Sequence, residues 1–489
     1  MQKTLFHVSV PTLLSALVIS SLTLSTRPAQ AEPQAIRSTL QDQQDIAVTI
    51  YNGNLALIKD QRRITLANGR NQLDLRDVSA QIRPETALLR NLSAAGSLAV
   101  LEQNFDFDLL TPEKLLEKYV GRSVGIIKTH PTTGAETIER AEVLSANQGV
   151  VLKIANRIET GIPGRIVYDD VPANLRDRPT LTVQLDSKRA GELPLELSYL
   201  TSGLDWKADY VAELNAAEDK LDLSGWVTLS NTSGTAYQHA KLQLVAGNLN
   251  RVQPTRPVMV KAMRGEMMDM AASAPMVEES LLDYHLYTLE RRTTIANNQS
   301  KQVALLSGTG IPASKELVLR GADYYYQSSQ GVLGEKLKPA IYVEFANKEN
   351  AGLGMPLPQG ILRVYKKDST GHAQFVGEDQ IEHTAKNEVI RLKLGEAFDI
   401  TADKKQTDYK KLPNPAKGVS ASESSYEIVL RNAKKEKVSV TVQEPIPGTW
   451  KILQQSHASQ KIDSQLLQWK IDIPAEGSTT LNYRVQVSY

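Results

Sequence analysis

Six histidines lie beyond the N-terminal segment: His130, His239, His285, His372, His383 and His457. None stands in the His-Glu-x-x-His pattern that sets two imidazoles on one helix face for zinc. The chain has no cysteine, which removes disulfides, thiolate nucleophiles and thiol-held metal sites. A Gly-x-Ser-x-Gly elbow, a Walker loop and a Gly-x-Gly-x-x-Gly helix opening are also missing. Carboxylates are the remaining source of acid–base chemistry. Asp106 and Asp108, Asp169 and Asp170, and Asp205 and Asp209 are near enough in sequence to converge across turns, as glycosidase carboxylates do. Asp169-Asp170 and Glu278-Glu279 could meet a surface calcium ion, but neither has calcium-loop spacing. His285 falls in an alternating strand close to Asp283. A chain with 55 acidic residues produces such neighbours by chance. The sequence therefore assigns no catalytic residue, no cofactor-binding residue and no metal ligand, and the histidines are expected to be scattered over the surface.

Methionine offers a softer chemistry. Six of the eight methionines crowd between Arg251 and Asp283: Met259, Met263, Met267, Met268, Met270 and Met276, among Pro254, Pro257 and Pro275. No apolar stripe persists there, which reads as a mobile surface loop. A docking helix is a second reading, because methionine suits adaptable surfaces. Thioether binding of copper(I) is a third, disfavoured by the hard local carboxylates and by a stretch without His or Cys.

The elements that must position these groups are strands. Ile46–Tyr51, Leu55–Asp60, Arg63–Leu66 and Gln72–Arg76 are short β-rich runs separated by Asn/Gly turns. One helix is expected from Thr111-Pro112-Glu113, an N-cap followed by proline and an acid, with Leu115, Leu116 and Tyr119 on one face. The runs Gly121–Ile127, Ala141–Leu144 and Val150–Ile154 lie so close together that they resemble a small barrel-like insert over about 111–169. Beyond it, Leu181–Leu185, Gly191–Leu200, Tyr210–Leu214 and Leu221–Ser230 alternate as in a sandwich, with Trp206, Tyr210 and Trp226 as its heavy core residues. Ala402–Lys417 is basic and polar and reads as a long connecting loop. Tyr483, Val485, Val487 and Tyr489 alternate like the closing strand of an outer-membrane barrel. An aromatic content of 6% is too small for two girdles, so a soluble sandwich is the better reading.

The expected fold is all-β and multidomain: immunoglobulin-like β-sandwiches with a small inserted β-barrel-like domain and few helices. Its 489 residues suit about three domains. They divide into a signal peptide at 1–31, an N-terminal β domain at 32–190, a central sandwich at 191–350 with the Met-rich loop at about 251–283, and a C-terminal sandwich at 351–489. The signal reading rests on Lys3, the apolar Val8–Leu24 run and Ala29-Gln30-Ala31. With no cysteine to oxidise, it implies a periplasmic or secreted bacterial protein. No transmembrane segment is expected once that leader is cleaved. Lys+Arg at 56 against Asp+Glu at 55 argues against a nucleic-acid partner.

Several stretches together resemble a bacterial exported family, the domain of unknown function 4139. They are Val48–Ile58, Gly69–Leu73, Leu204–Tyr210, Leu223–Asn231, Tyr287–Leu306 and Glu444–Trp450, with Trp206, Tyr210, Asn231 and Pro447 carrying most of it. The resemblance implies an exported all-β protein and supplies no catalytic residues. Two functions stay open. One is a non-enzymatic envelope protein that engages a protein, a peptide or a cell-wall component. The other is a carboxylate-dependent hydrolase acting on an envelope polymer in an interdomain cleft.

Overall fold

A computed structural model describes residues 35–106, 108–172, 175–247, 249–250, 276–413 and 420–489. The leader expected at 1–31 and the methionine stretch up to Pro275 lie outside these residues. Among the described residues there are thirty-two strands and one α-helix, so the all-β expectation holds. Alternation is the cause. In the strand Gly191–Thr201, Leu193, Leu195, Leu197 and Tyr199 face inward and their neighbours face out. Burying each such side chain contributes roughly 2 kcal/mol.

The largest core lies where a four-stranded, an eight-stranded and part of a ten-stranded sheet meet. Leu73 and Val183 come from the first, Ile50 and Leu195 from the second, and Leu204 and Tyr210 from the third. A second core packs the remainder of the ten-stranded sheet on a five-stranded one, around Trp469, Tyr426 and Tyr483. The strand Gln299–Arg320 serves both: it pairs with Lys220–Asn231 in the first core, and its last residues pair in parallel with Val438–Pro445 in the second. Gly310, with a positive φ of 68°, lies at the register shift between Gly308 and Ile311, a bulge of the kind that turns a strand.

Two expectations about the fold need correction. First, the insert is not a barrel. Its five strands run in the order Arg157–Thr160, Val151–Ile154, Glu136–Ser145, Ser123–Thr129 and Arg165–Val167, and the two ends do not pair. The end strands are only four and three residues long, too little for the tilt and stagger that closure demands. The helix Pro112–Lys118 forms as expected, capped by Thr111, and Tyr119 at its end enters the insert's own core. Second, the sheets are not short self-contained pairs in an immunoglobulin-like series. The eight-stranded sheet combines strands from Gln43 to Ile295, and the ten-stranded sheet combines strands from Leu204 to Ile473.

Three local readings also change. Ala402–Leu412 is not a connecting loop, because Ile400–Leu412 is a strand that pairs with Ala421–Asn432. Past Met276, Val277–Leu281 leaves the expected loop and pairs with Tyr284–Thr288 as a hairpin. Trp226 is half-buried on the opposite face from Trp206 and Tyr210, since the buried positions of its strand are odd-numbered.

Candidate functional site

The six paired aspartates singled out in the sequence are each engaged by other groups. Asp106 accepts from Arg176, which also approaches the buried Asp74 at 3.7 Å. Asp108 meets Lys118 at 2.6 Å, and Asp169 takes both oxygens to Arg140. Asp170 holds the Tyr119 hydroxyl, Asp205 accepts from the Asn54 backbone at 3.4 Å, and Asp209 is buried beside Arg363 and Thr228. These contacts orient strands and turns. Glu278 receives the His285 ring at 2.8 Å, within the hairpin that brings residues 278 and 285 together. The other histidines serve local structure: His130 accepts from the Thr132 and Thr133 backbones, and His383 accepts from Gln359. Burial lowers the His383 pKa from its ordinary value. Among the described residues no cluster of three or more His, Asp or Glu is arranged to hold a metal ion.

A chemically loaded site lies where the sequence showed none, in the second core. Lys404 and Glu444 are buried, and the lysine Nζ is 2.6 Å from each carboxylate oxygen. The Nζ also sits 4.3 Å from the centre of the Tyr325 ring and 5.6 Å from that of Tyr426. Tyr326 donates to Glu444 Oε2 at 2.8 Å and lies 2.9 Å from the Tyr483 hydroxyl. Gln406 spans the cage, donating to the Ser328 carbonyl and accepting from the Gln330 backbone. Gly321 completes it, because a Cβ at that position would overlap the Glu444 carboxylate. Burial pushes the Lys404 pKa down, opposed by the attraction of Glu444. Burial, then Glu444, pushes the Tyr326 and Tyr483 hydroxyls well above their ordinary values.

The missed signal is specific. Lys404 and Gln406 occupy inward positions of their strand after Ala402, so polar residues stand where alternation demands apolar ones. The same masking breaks Leu55–Leu66, a single strand whose inward Asp60 and Arg62 form a buried ion pair at 2.8 Å. Arg62 also donates to the carbonyls of Ser38 and Arg76.

On the reverse side of the ten-stranded sheet lies an open groove of about 450 Å³. Its lining includes Lys315, Glu316, Thr441, Gln460, Gln468 and Lys470. These residues alternate with core residues on the same strands: Val440, Val442 and Glu444 face inward beside Thr441, and Trp469 and Ile471 beside Lys470. Arg391 and Thr441 fix the Glu316 carboxylate at 2.8 and 2.7 Å. The Gln468 amide reaches Gln460 and Gln443 only at 3.3 and 3.4 Å, long contacts that a ligand can replace. A smaller cavity of about 210 Å³ beside Arg37, Arg76 and Arg176 already contains Asp74 and Asp177 as counter-charges.

No curated protein matches the chain. A family match does exist, and it begins within the strand Gly191–Thr201. It takes in the second core, part of the first, the Lys404–Glu444 cage and the polar groove, and leaves the opening strands of the first core and the insert outside. Trp206, Tyr210, Asn231 and Pro447, which carried the resemblance in the sequence, all lie inside it. Over residues 195–489, more than half of its length, the chain belongs to the family described as domain of unknown function 4139.

Proposed function

We propose that this chain is an exported envelope protein with a non-enzymatic binding role, and that the groove above Thr441, Gln468 and Lys470 takes a cell-wall component. One observation carries this reading: amide, hydroxyl and ammonium groups line an open groove on the ten-stranded sheet. Amides and hydroxyls match the hydroxyl and acetamido groups of wall sugars, and Lys470 matches a wall carboxylate. The leader composition at residues 1–31 supports the compartment. Among the described residues no helix is long and apolar enough to cross a membrane.

Co-sedimentation of the purified chain from Glu32 with insoluble bacterial cell wall tests the proposal. The wild type should pellet with the wall. Lys470→Glu combined with Gln468→Ala should weaken binding by at least about tenfold, the worth of one lost charge-assisted hydrogen bond. A wild-type chain that stays in the supernatant at every wall concentration defeats the reading.

A further inference from the structure

The Lys404–Glu444 cage has a use that an ordinary ion pair does not require. Lys404 lies on Ile400–Leu412 in the five-stranded sheet, and Glu444 lies on Val438–Pro445 in the ten-stranded sheet facing it. We propose that the Lys404 amine and the Glu444 carboxyl condense into an intramolecular amide that ties the two sheets of the C-terminal sandwich together. This inference does not rest on the groove or on its ligand.

Geometry is the first argument. The nitrogen is held 2.6 Å from both carboxylate oxygens, with both side chains sealed from solvent at 2% and 1% exposure. Fixing two reactants in this way removes most of the entropic barrier to their reaction. The surroundings are the second argument. Tyr325 and Tyr426 wall the amine with aromatic rings, Tyr326 donates to Oε2, and Gly321 leaves the space that the carboxylate needs. Bulk water, which drives amides back to acid and amine, is kept out of this core.

The chemistry balances without any co-reactant. The ammonium first passes a proton to the carboxylate, giving a neutral amine and a carboxylic acid. Burial favours the neutral amine, consistent with the lowered pKa of Lys404. The carboxyl then turns about its Cγ–Cδ bond, and the amine lone pair attacks Cδ. The Tyr326 hydroxyl stabilises the oxygen that gains negative charge. The nitrogen gives up a proton to the departing hydroxyl, so one C–N bond forms, one C–O bond breaks and one water leaves. The product also replaces two buried charges, which are costly to keep dry, with one neutral amide.

Peptide mass spectrometry of the purified wild-type chain tests this directly. After proteolysis, the peptides containing Lys404 and Glu444 should be recovered joined, lighter than their sum by one water, with trypsin unable to cut after Lys404. The loss must be mapped to these peptides, because a chain that starts at Glu32 can also shed water by cyclising its first residue. Lys404→Met and Glu444→Ala should each abolish the joined species. Glu444→Gln should give the same joined mass by releasing ammonia instead. Recovery of the two wild-type peptides separately and at full mass overturns the proposal. That result needs no variant to fold.

Discussion

Replacing Asn231 tests how the first core is held, and its size can be worked out from the structure. Asn231 is fully buried at the end of the strand Lys220–Asn231. Its amide nitrogen donates to the carbonyls of Thr235 at 2.9 Å, Ala296 at 3.0 Å and Ile295 at 3.3 Å. Its oxygen accepts from the Ser233 backbone at 3.0 Å and the Ser233 hydroxyl at 2.7 Å. In Asn231→Ala the Ser233 hydroxyl can turn to Tyr237, 3.2 Å away, or to the Thr235 carbonyl at 3.4 Å, but the Ser233 N–H loses its acceptor and the Ile295 and Ala296 carbonyls lose the amide donor. At about 1–3 kcal/mol for each buried orphan, the expected loss is about 3 kcal/mol. Asn231→Asp keeps the acceptor and turns the donor into a second oxygen facing carbonyls. It should therefore cost more than alanine at neutral pH, about 5 kcal/mol. Burial raises the folded-state pKa of that new carboxyl, so its deficit should narrow as pH falls towards about 4. Urea denaturation followed by tryptophan emission measures both variants, with the buried Trp206 reporting this core. An aspartate variant as stable as the alanine variant, or more so, would refute the assigned donor role. Asn432→Ala provides a parallel in the second core, where the same clamp reaches Glu436, Pro474 and Lys434.

Other outcomes follow from buried charge and burial. Arg62→Met should destabilise by about 3 kcal/mol because it leaves the buried Asp60 charge with only the Gln43 amide, and adding Asp60→Leu should recover part of that loss in the same urea titration. Tyr199 and Tyr210 in the first core, and Tyr326 and Tyr483 in the second, have hydroxyls raised well above the usual value of 10, mainly by burial. Their contribution is fully present below pH 10 and is lost as pH climbs towards the folded-state values, because only the unfolded chain ionises readily there. Each group should remove about 1.4 kcal/mol per pH unit above 10, measurable as a falling denaturation midpoint. Thr111→Ala removes the cap on the Lys114 backbone and should cost about 1 kcal/mol, confined by hydrogen exchange to the insert.

What could be read from the chain follows from where polar residues sit. Runs such as Gly191–Thr201 and Tyr210–Leu214 announce themselves because every inward position is apolar or a small hydroxyl. Asp60-x-Arg62 and Lys404-x-Gln406 hide their strands, because each sets polar residues at inward positions whose partners complete the pattern only in three dimensions. Glu444 continues the inward series of Val440 and Val442 by one step, a cue visible in hindsight. Barrel closure could not be read from spacing, since it depends on the lengths of the end strands and on their register. The groove was equally out of reach. Its floor exists only because the end of Gln299–Arg320 lies parallel to Val438–Pro445, a pairing between residues remote in sequence.

The claim that the outer face of the C-terminal sheet is the working surface can be tested by hydrogen exchange of the purified chain with and without soluble cell-wall fragments. Protection on binding should concentrate at residues 315–317, 439–441 and 458–470. Bound fragments that leave those segments unchanged and protect another face would contradict it.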